Sequence, residues 1–126
     1  MRFAVLYLII LTPSLVHAWG GTGHRIVCEV ATQELTTPVR IEVNRLMGEL
    51  TNFDSFTDAC NFPDRPRQRS REHFINVSRD TSSITRAECT MANECTFTGI
   101  AADRAVLKNA DSSDAEKARA LAFLGH

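Results

Sequence analysis

No excess of charge of either sign runs through this 126-residue chain: Lys and Arg number 14 against 15 Asp and Glu, a net charge of −1. That balance excludes a global basic field able to hold a polyanion unaided, so an anionic partner would need local arginines or metal ions. Long hydrophobic runs are also lacking. The apolar stretch that ends at Leu11 is too short for a comfortable membrane span. Repeats and low-complexity segments are absent, and a second domain is not expected within these residues.

What is present begins with an export signal. Residues 1–18 carry Arg2, the apolar run, Pro13 and then Val16-His17-Ala18, the layout of a secretory signal peptide with Ala18 at the cut. Cleavage there would leave residues 19–126, which are 108 residues with a charge of −2 because Arg2 is lost. Export would place the protein outside the cytoplasm, secreted or periplasmic, with no membrane association expected after the leader is cleaved. Four cysteines in such a chain point to disulfides. Cys89 and Cys95 can close a local loop, which leaves Cys28 for Cys60; three connectivities are formally possible and proximity favours this one.

The new N-terminus reads Trp19-Gly20-Gly21-Thr22-Gly23-His24. An α-amino group titrates near pH 8, so a metal ion can displace its proton and form a five-membered chelate with the amine and carbonyl of Trp19. Glycines let the chain bring His24 back toward it. The alternative is a tail with an incidental histidine.

Downstream, Ile26, Val27, Val30, Ala31 and Leu35 recur at three and four residues and predict a helix from about Thr22 to Glu34. Thr37 reads as an N-cap with Pro38 at the first helical position, opening a helix with apolar Val39, Val43, Leu46 and Met47 that Gly48 ends. A short helix is expected around Ser55–Cys60, then an irregular loop through Pro63 and Pro66. Residues 73–77 alternate and predict an extended segment, and Thr81–Asn93 a polar loop. Thr96 to about Lys108 should form a helix burying Ile100, Ala101 and Leu107. Ser113 and Glu116 have capping-box spacing before a last helix carrying Ala118, Leu121, Ala122 and Leu124. Phe53, Phe56 and Phe62 are core candidates. Arg65, Arg67, Arg69 and Arg71 alternate: an extended backbone would line them up as a phosphate-facing row, and the alternative, favoured for three of them, is a solvated loop.

His24, His73, His126 and Asp64 offer the imidazoles and carboxylate that zinc accepts, with satisfied surface or core histidines as the default reading from composition alone. Trp19-Gly20-x-x-Gly23-His24, Asp64 in Pro-Asp-x-x-Arg, His73-Phe74-Ile75-Asn76 and the closing Phe123-Leu124-Gly125-His126 together resemble the zinc-dependent phospholipase C/P1 nuclease superfamily. The match runs through residues 19–126 in order. The five-residue step from Trp19 to His24 favours the nuclease branch, since the phospholipase branch has a longer gap.

The resemblance implies an all-α helical bundle and a trinuclear zinc cluster that cleaves phosphodiesters of single-stranded DNA and RNA and removes 3′-phosphates from nucleotides. Trp19 and His24 would hold one zinc; Asp64, His73 and His126 would hold another. Asp64 and Arg67 would be the catalytic pair, with Arg67 steadying charge on the phosphate. Phe74 would stack on a base, and Asn76 stands where relatives often have Asp to contact the base edge. The partner is then single-stranded nucleic acid or a nucleotide, and the protein a monomer.

The family pattern continues past the histidine matched by His126 into Gly-Asp-x-His, with a bridging Asp and further ligands, which this sequence does not contain. Residues 19–126 are thus expected to be the N-terminal part of the domain, with at most two zinc sites partly supplied and activity reduced or lost. The readings from other classes are a non-catalytic, disulfide-stabilised secreted binding protein and a non-functional fragment. Asn76-Val77-Ser78 also matches a glycosylation acceptor.

Overall fold

The computed structural model describes residues 20–84, 89 and 94–126. The expected leader, Trp19 and much of the Thr81–Asn93 loop lie outside the described residues. Within them the chain is helical: α1 (Gly21–Glu34), α2 (Thr37–Met47), α3 (Phe56–Ala59), a 3₁₀ turn (Ser70–His73), α4 (Thr96–Lys108) and α5 (Asp114–Gly125). No strand forms among the described residues, and their sole β pairing is an isolated antiparallel bridge between Asp64 and Arg67. None of their helices is long and apolar enough to cross a membrane. The all-α expectation holds.

Local chemistry accounts for the ends of these helices. Ser55 Oγ accepts from the Asp58 amide and starts α3. At α5 the capping box forms in full: Ser113 Oγ accepts from the Glu116 N–H at 3.3 Å, and Glu116 Oε2 accepts from the Ser113 N–H at 2.8 Å. The start of α2 is one residue earlier than the sequence suggests. Thr36, not Thr37, is the N-cap, and it makes no side-chain cap bond.

A core of Cys28, Val43, Leu46, Met47, Phe56, Ala59, Cys60, Ala118 and Ala122 sits between α1, α2, α3 and α5, flanked by half-buried Leu35, Phe53, Phe62 and Leu121. Cys28 is bonded to Cys60 and Cys89 to Cys95. The first bridge pins α1 to the end of α3. It also decides which side of α1 faces inward: Cys28 is fully buried, whereas Ile26, Val27 and Val30 of the expected apolar stripe are 60%, 43% and 55% exposed. Val39 of α2 is likewise on the outside.

Three further expectations change. His73 ends a 3₁₀ turn rather than opening the extended segment, which begins at Phe74 and has no strand partner among the described residues. The buried face of α4 is Gly99 and Asp103, while Ile100 and Ala101 are exposed and Leu107 is only half-buried. Polar pairing rather than apolar burial sets that face. The row of four arginines does not exist, because Arg69 has φ 49° and ψ 44°, a left-handed conformation that breaks an extended run.

Candidate metal centre

Four distant parts of the chain deliver one cluster. His24 lies in the first turns of α1, Asp64 follows fully buried Pro63 in the turn after α3, His73 closes the 3₁₀ turn and His126 caps α5. The His73 Nε2–H donates to the Gln68 carbonyl at 2.7 Å, and the His126 Nδ1–H donates to the Cys60 carbonyl at 2.9 Å. A carbonyl only accepts, so each ring must carry its proton on the outward nitrogen.

The inward nitrogens, His73 Nδ1 and His126 Nε2, then face each other at 3.1 Å. In neutral rings both present lone pairs, and two lone pairs at that distance repel unless a proton or a cation lies between them. The Asp64 carboxylate is 3.6 Å from His73 Nδ1 and 3.8 Å from His126 Nε2. The His24 ring stacks on that of His126 with centroids 4.2 Å apart and planes 13° from parallel. One potential ligand atom from each of His24, Asp64 and His126 lies within 4.8 Å of the others. Imidazole nitrogens with a carboxylate oxygen, two of the rings braced by backbone carbonyls, form a donor set that fits zinc. Burial lowers the His24 pKa; a positive charge on His126 lowers it further and Asp64 opposes the shift, so neutral imidazole is favoured.

The sequence expectation assigned His24 to one ion and Asp64, His73 and His126 to another. The fold stacks His24 directly on His126, and His73 adjoins them through His126 Nε2 and Asp64 rather than through His24. Trp19 lies outside the described residues. Arg67 is exposed and pairs through its backbone with Asp64 across the isolated bridge. Phe74 is 39% exposed and Asn76 is exposed, both on the extended segment that follows His73.

The Cys60 and Gln68 carbonyls were beyond sequence reasoning, because backbone acceptors leave no residue signal. So was Asp103, which is 6% exposed and receives Arg69 Nη1–H at 2.7 Å. In sequence it is one polar residue on an ordinary helix. A cavity of about 130 Å³ lies beside the cluster, lined in part by Glu72, His73, Asp103 and His126.

The S1/P1 nuclease profile matches residues 19–126 of this chain. Among curated proteins, it resembles Endonuclease 2 of Arabidopsis thaliana, with 28% identity over 93 residues that cover 71% of this chain and 31% of the relative. The chain therefore spans about a third of that relative's length. No solved structure matches it.

Proposed function

This chain belongs to the S1/P1 nuclease family, and on that premise we propose that it is the zinc-holding N-terminal portion of an exported endonuclease domain acting on single-stranded DNA and RNA, with 3′-nucleotidase activity. The observation that carries the reading is the approach of His73 Nδ1 and His126 Nε2 to 3.1 Å with both outer nitrogens committed to carbonyls. A cation resolves that contact at once.

His24, Asp64, His73 and His126 would hold zinc, joined by the Trp19 amine and carbonyl once the leader is removed. Zinc supplies Lewis acidity toward a phosphoryl oxygen and lowers the pKa of water. The protein's own part is placement. The Cys60 and Gln68 carbonyls hold two rings in the tautomers that leave the inner nitrogens as ligands. Arg67, beside Asp64, offsets charge on the scissile phosphate, and its forked guanidinium suits two phosphate oxygens. Phe74, 39% exposed, would stack on a base, and exposed Asn76 two residues on would offer amide donor and acceptor groups to the base edge. Stacking tolerates any base, which fits a nuclease of low sequence specificity.

The test is zinc content and hydrolysis of single-stranded DNA for the chain, for its His73→Ala variant and for a version carrying the remaining family sequence. Zinc should bind the chain at neutral pH and be lost or much weakened in His73→Ala, with efficient turnover only in the longer version. A folded chain that takes up no zinc would sink the ligand assignment.

A further inference from the structure

We propose that Arg69 is the positioning residue of this cluster: its left-handed backbone and its guanidinium together fix where His73 and His126 stand relative to each other. The inference rests on reading the cluster as a cation site. Arg69 is the one non-glycine residue with positive φ among the described residues, a conformation disfavoured for any side chain with a Cβ. It immediately precedes the 3₁₀ turn that ends in His73. A residue held there sets the direction in which the turn leaves, and hence where the imidazole four positions later points.

What holds it is a clamp on three elements. The guanidinium pairs with Glu72 on the turn through both Nε and Nη2, and with Asp103 on α4 through Nη1 at 2.7 Å. It also lies over the Phe123 ring of α5, 4.2 Å from the centroid. Phe123 is one helical turn before His126. One planar group thus meets the neighbours of both histidines without being a ligand itself. The buried Asp103 carboxylate requires a paired cation, so Asp103 anchors the guanidinium as firmly as the guanidinium anchors Glu72. Gly99 completes the arrangement. Glu72 occupies the space that a Cβ at position 99 would take.

Lysine cannot reproduce this, because it lacks the fork and the planar stacking surface. The role is geometric: the two inner nitrogens belong to residues 53 apart in sequence, and no covalent link fixes their 3.1 Å separation. Metal sites tolerate only about 0.5 Å of such misplacement.

Two measurements test this on the chain itself and on Arg69→Ala, Arg69→Lys, Asp103→Asn and the control Arg45→Ala, whose ion pair to Asp114 joins α2 and α5 away from the cluster. The first is ¹⁵N NMR of the imidazoles without metal. The second is Co²⁺ titration followed by its visible bands. The unaltered chain should show His73 protonated on Nε2 and His126 on Nδ1. Arg69→Ala and Arg69→Lys should blur both tautomers and weaken Co²⁺ roughly 10- to 100-fold, in the range of lost outer-shell partners. Asp103→Asn should weaken it less, and Arg45→Ala should change neither readout. Should Arg69→Ala fail to fold, Arg69→Lys decides alone. The proposal is overturned if Arg69→Lys keeps both tautomers and binds Co²⁺ within about threefold of the unaltered chain, or if Arg45→Ala disturbs the rings equally. An unaltered chain with both tautomers but no Co²⁺ binding refutes the cation site, and the imidazole signals of the variants then judge Arg69 by themselves.

Discussion

The Nδ1–H of His126 donates to the carbonyl of Cys60 across 2.9 Å, so the ring that closes the cluster takes its orientation from a residue of the Cys28–Cys60 bridge. The other half of that bridge, Cys28, is one turn after His24 on α1. A single covalent link therefore holds two of the four donors in register.

Breaking that link should weaken fold and site together. The bridge spans 32 positions, and chain-entropy reasoning assigns a loop of that size about 3 to 4 kcal/mol. A Cys28→Ser/Cys60→Ser variant should show that loss in urea denaturation, with weaker Co²⁺ binding under conditions where it remains folded. Co²⁺ affinity unchanged in the folded variant would mean that the Cys60 carbonyl stays in place without the bridge.

Gly125 should not tolerate a side chain. A Cβ there would lie 2.8 Å from Cys60 Sγ and 2.9 Å from both Cys28 Sγ and Phe56 Cζ, contacts against a bridge and a buried ring that have little room to yield. Gly125→Ala is expected to cost about 1 to 3 kcal/mol, typical of overpacking. Differential scanning calorimetry would measure it; an unchanged or raised melting temperature would contradict the packing described.

Stability of the metal-free chain should fall on mild acidification. Burial holds the His24 pKa below its ordinary 6.5, so the unfolded chain takes up that proton first. The contribution of neutral His24 is complete above pH 6.5 and drains as pH drops toward the lowered native value, because there the unfolded state binds more protons. Urea midpoints across this range should decline with acid, and His24→Gln should flatten the decline. A midpoint that climbs as pH falls through 6.5 would reverse the sign assigned here.

Phe74 should matter to substrate and little to the fold, since it is 39% exposed. Phe74→Ala is expected to lose about 1 to 3 kcal/mol of single-stranded DNA affinity, the worth of one stacked base. Fluorescence anisotropy with a labelled oligonucleotide reads this directly. Equal affinity in the variant would remove Phe74 from the interface.

Legibility differed from residue to residue. The limits of α1, α4 and α5, the Ser113–Glu116 box and the pairing of Cys89 with Cys95 could be read in advance, because each depends on neighbours a few positions away. The inward face of α4 could not. Ile100 looked like core, but Arg69, 34 positions before Asp103, turned the carboxylate side inward. The apolar stripe of α1 was plain in the sequence, yet periodicity says nothing of which side a disulfide will pull in.

The sequence by itself determined the helices, since spacing, caps and prolines act over one or two turns, and it determined the stock of donors, since imidazoles and carboxylates are fixed by residue type. Only the tertiary structure decided that His24, Asp64 and His126 gather with His73 beside His126, which nitrogen of two rings faces inward, and that Arg69 lies clamped among Glu72, Asp103 and Phe123. Those outcomes depend on backbone carbonyls and on contacts between residues tens of positions apart, where no local pattern in the chain reaches.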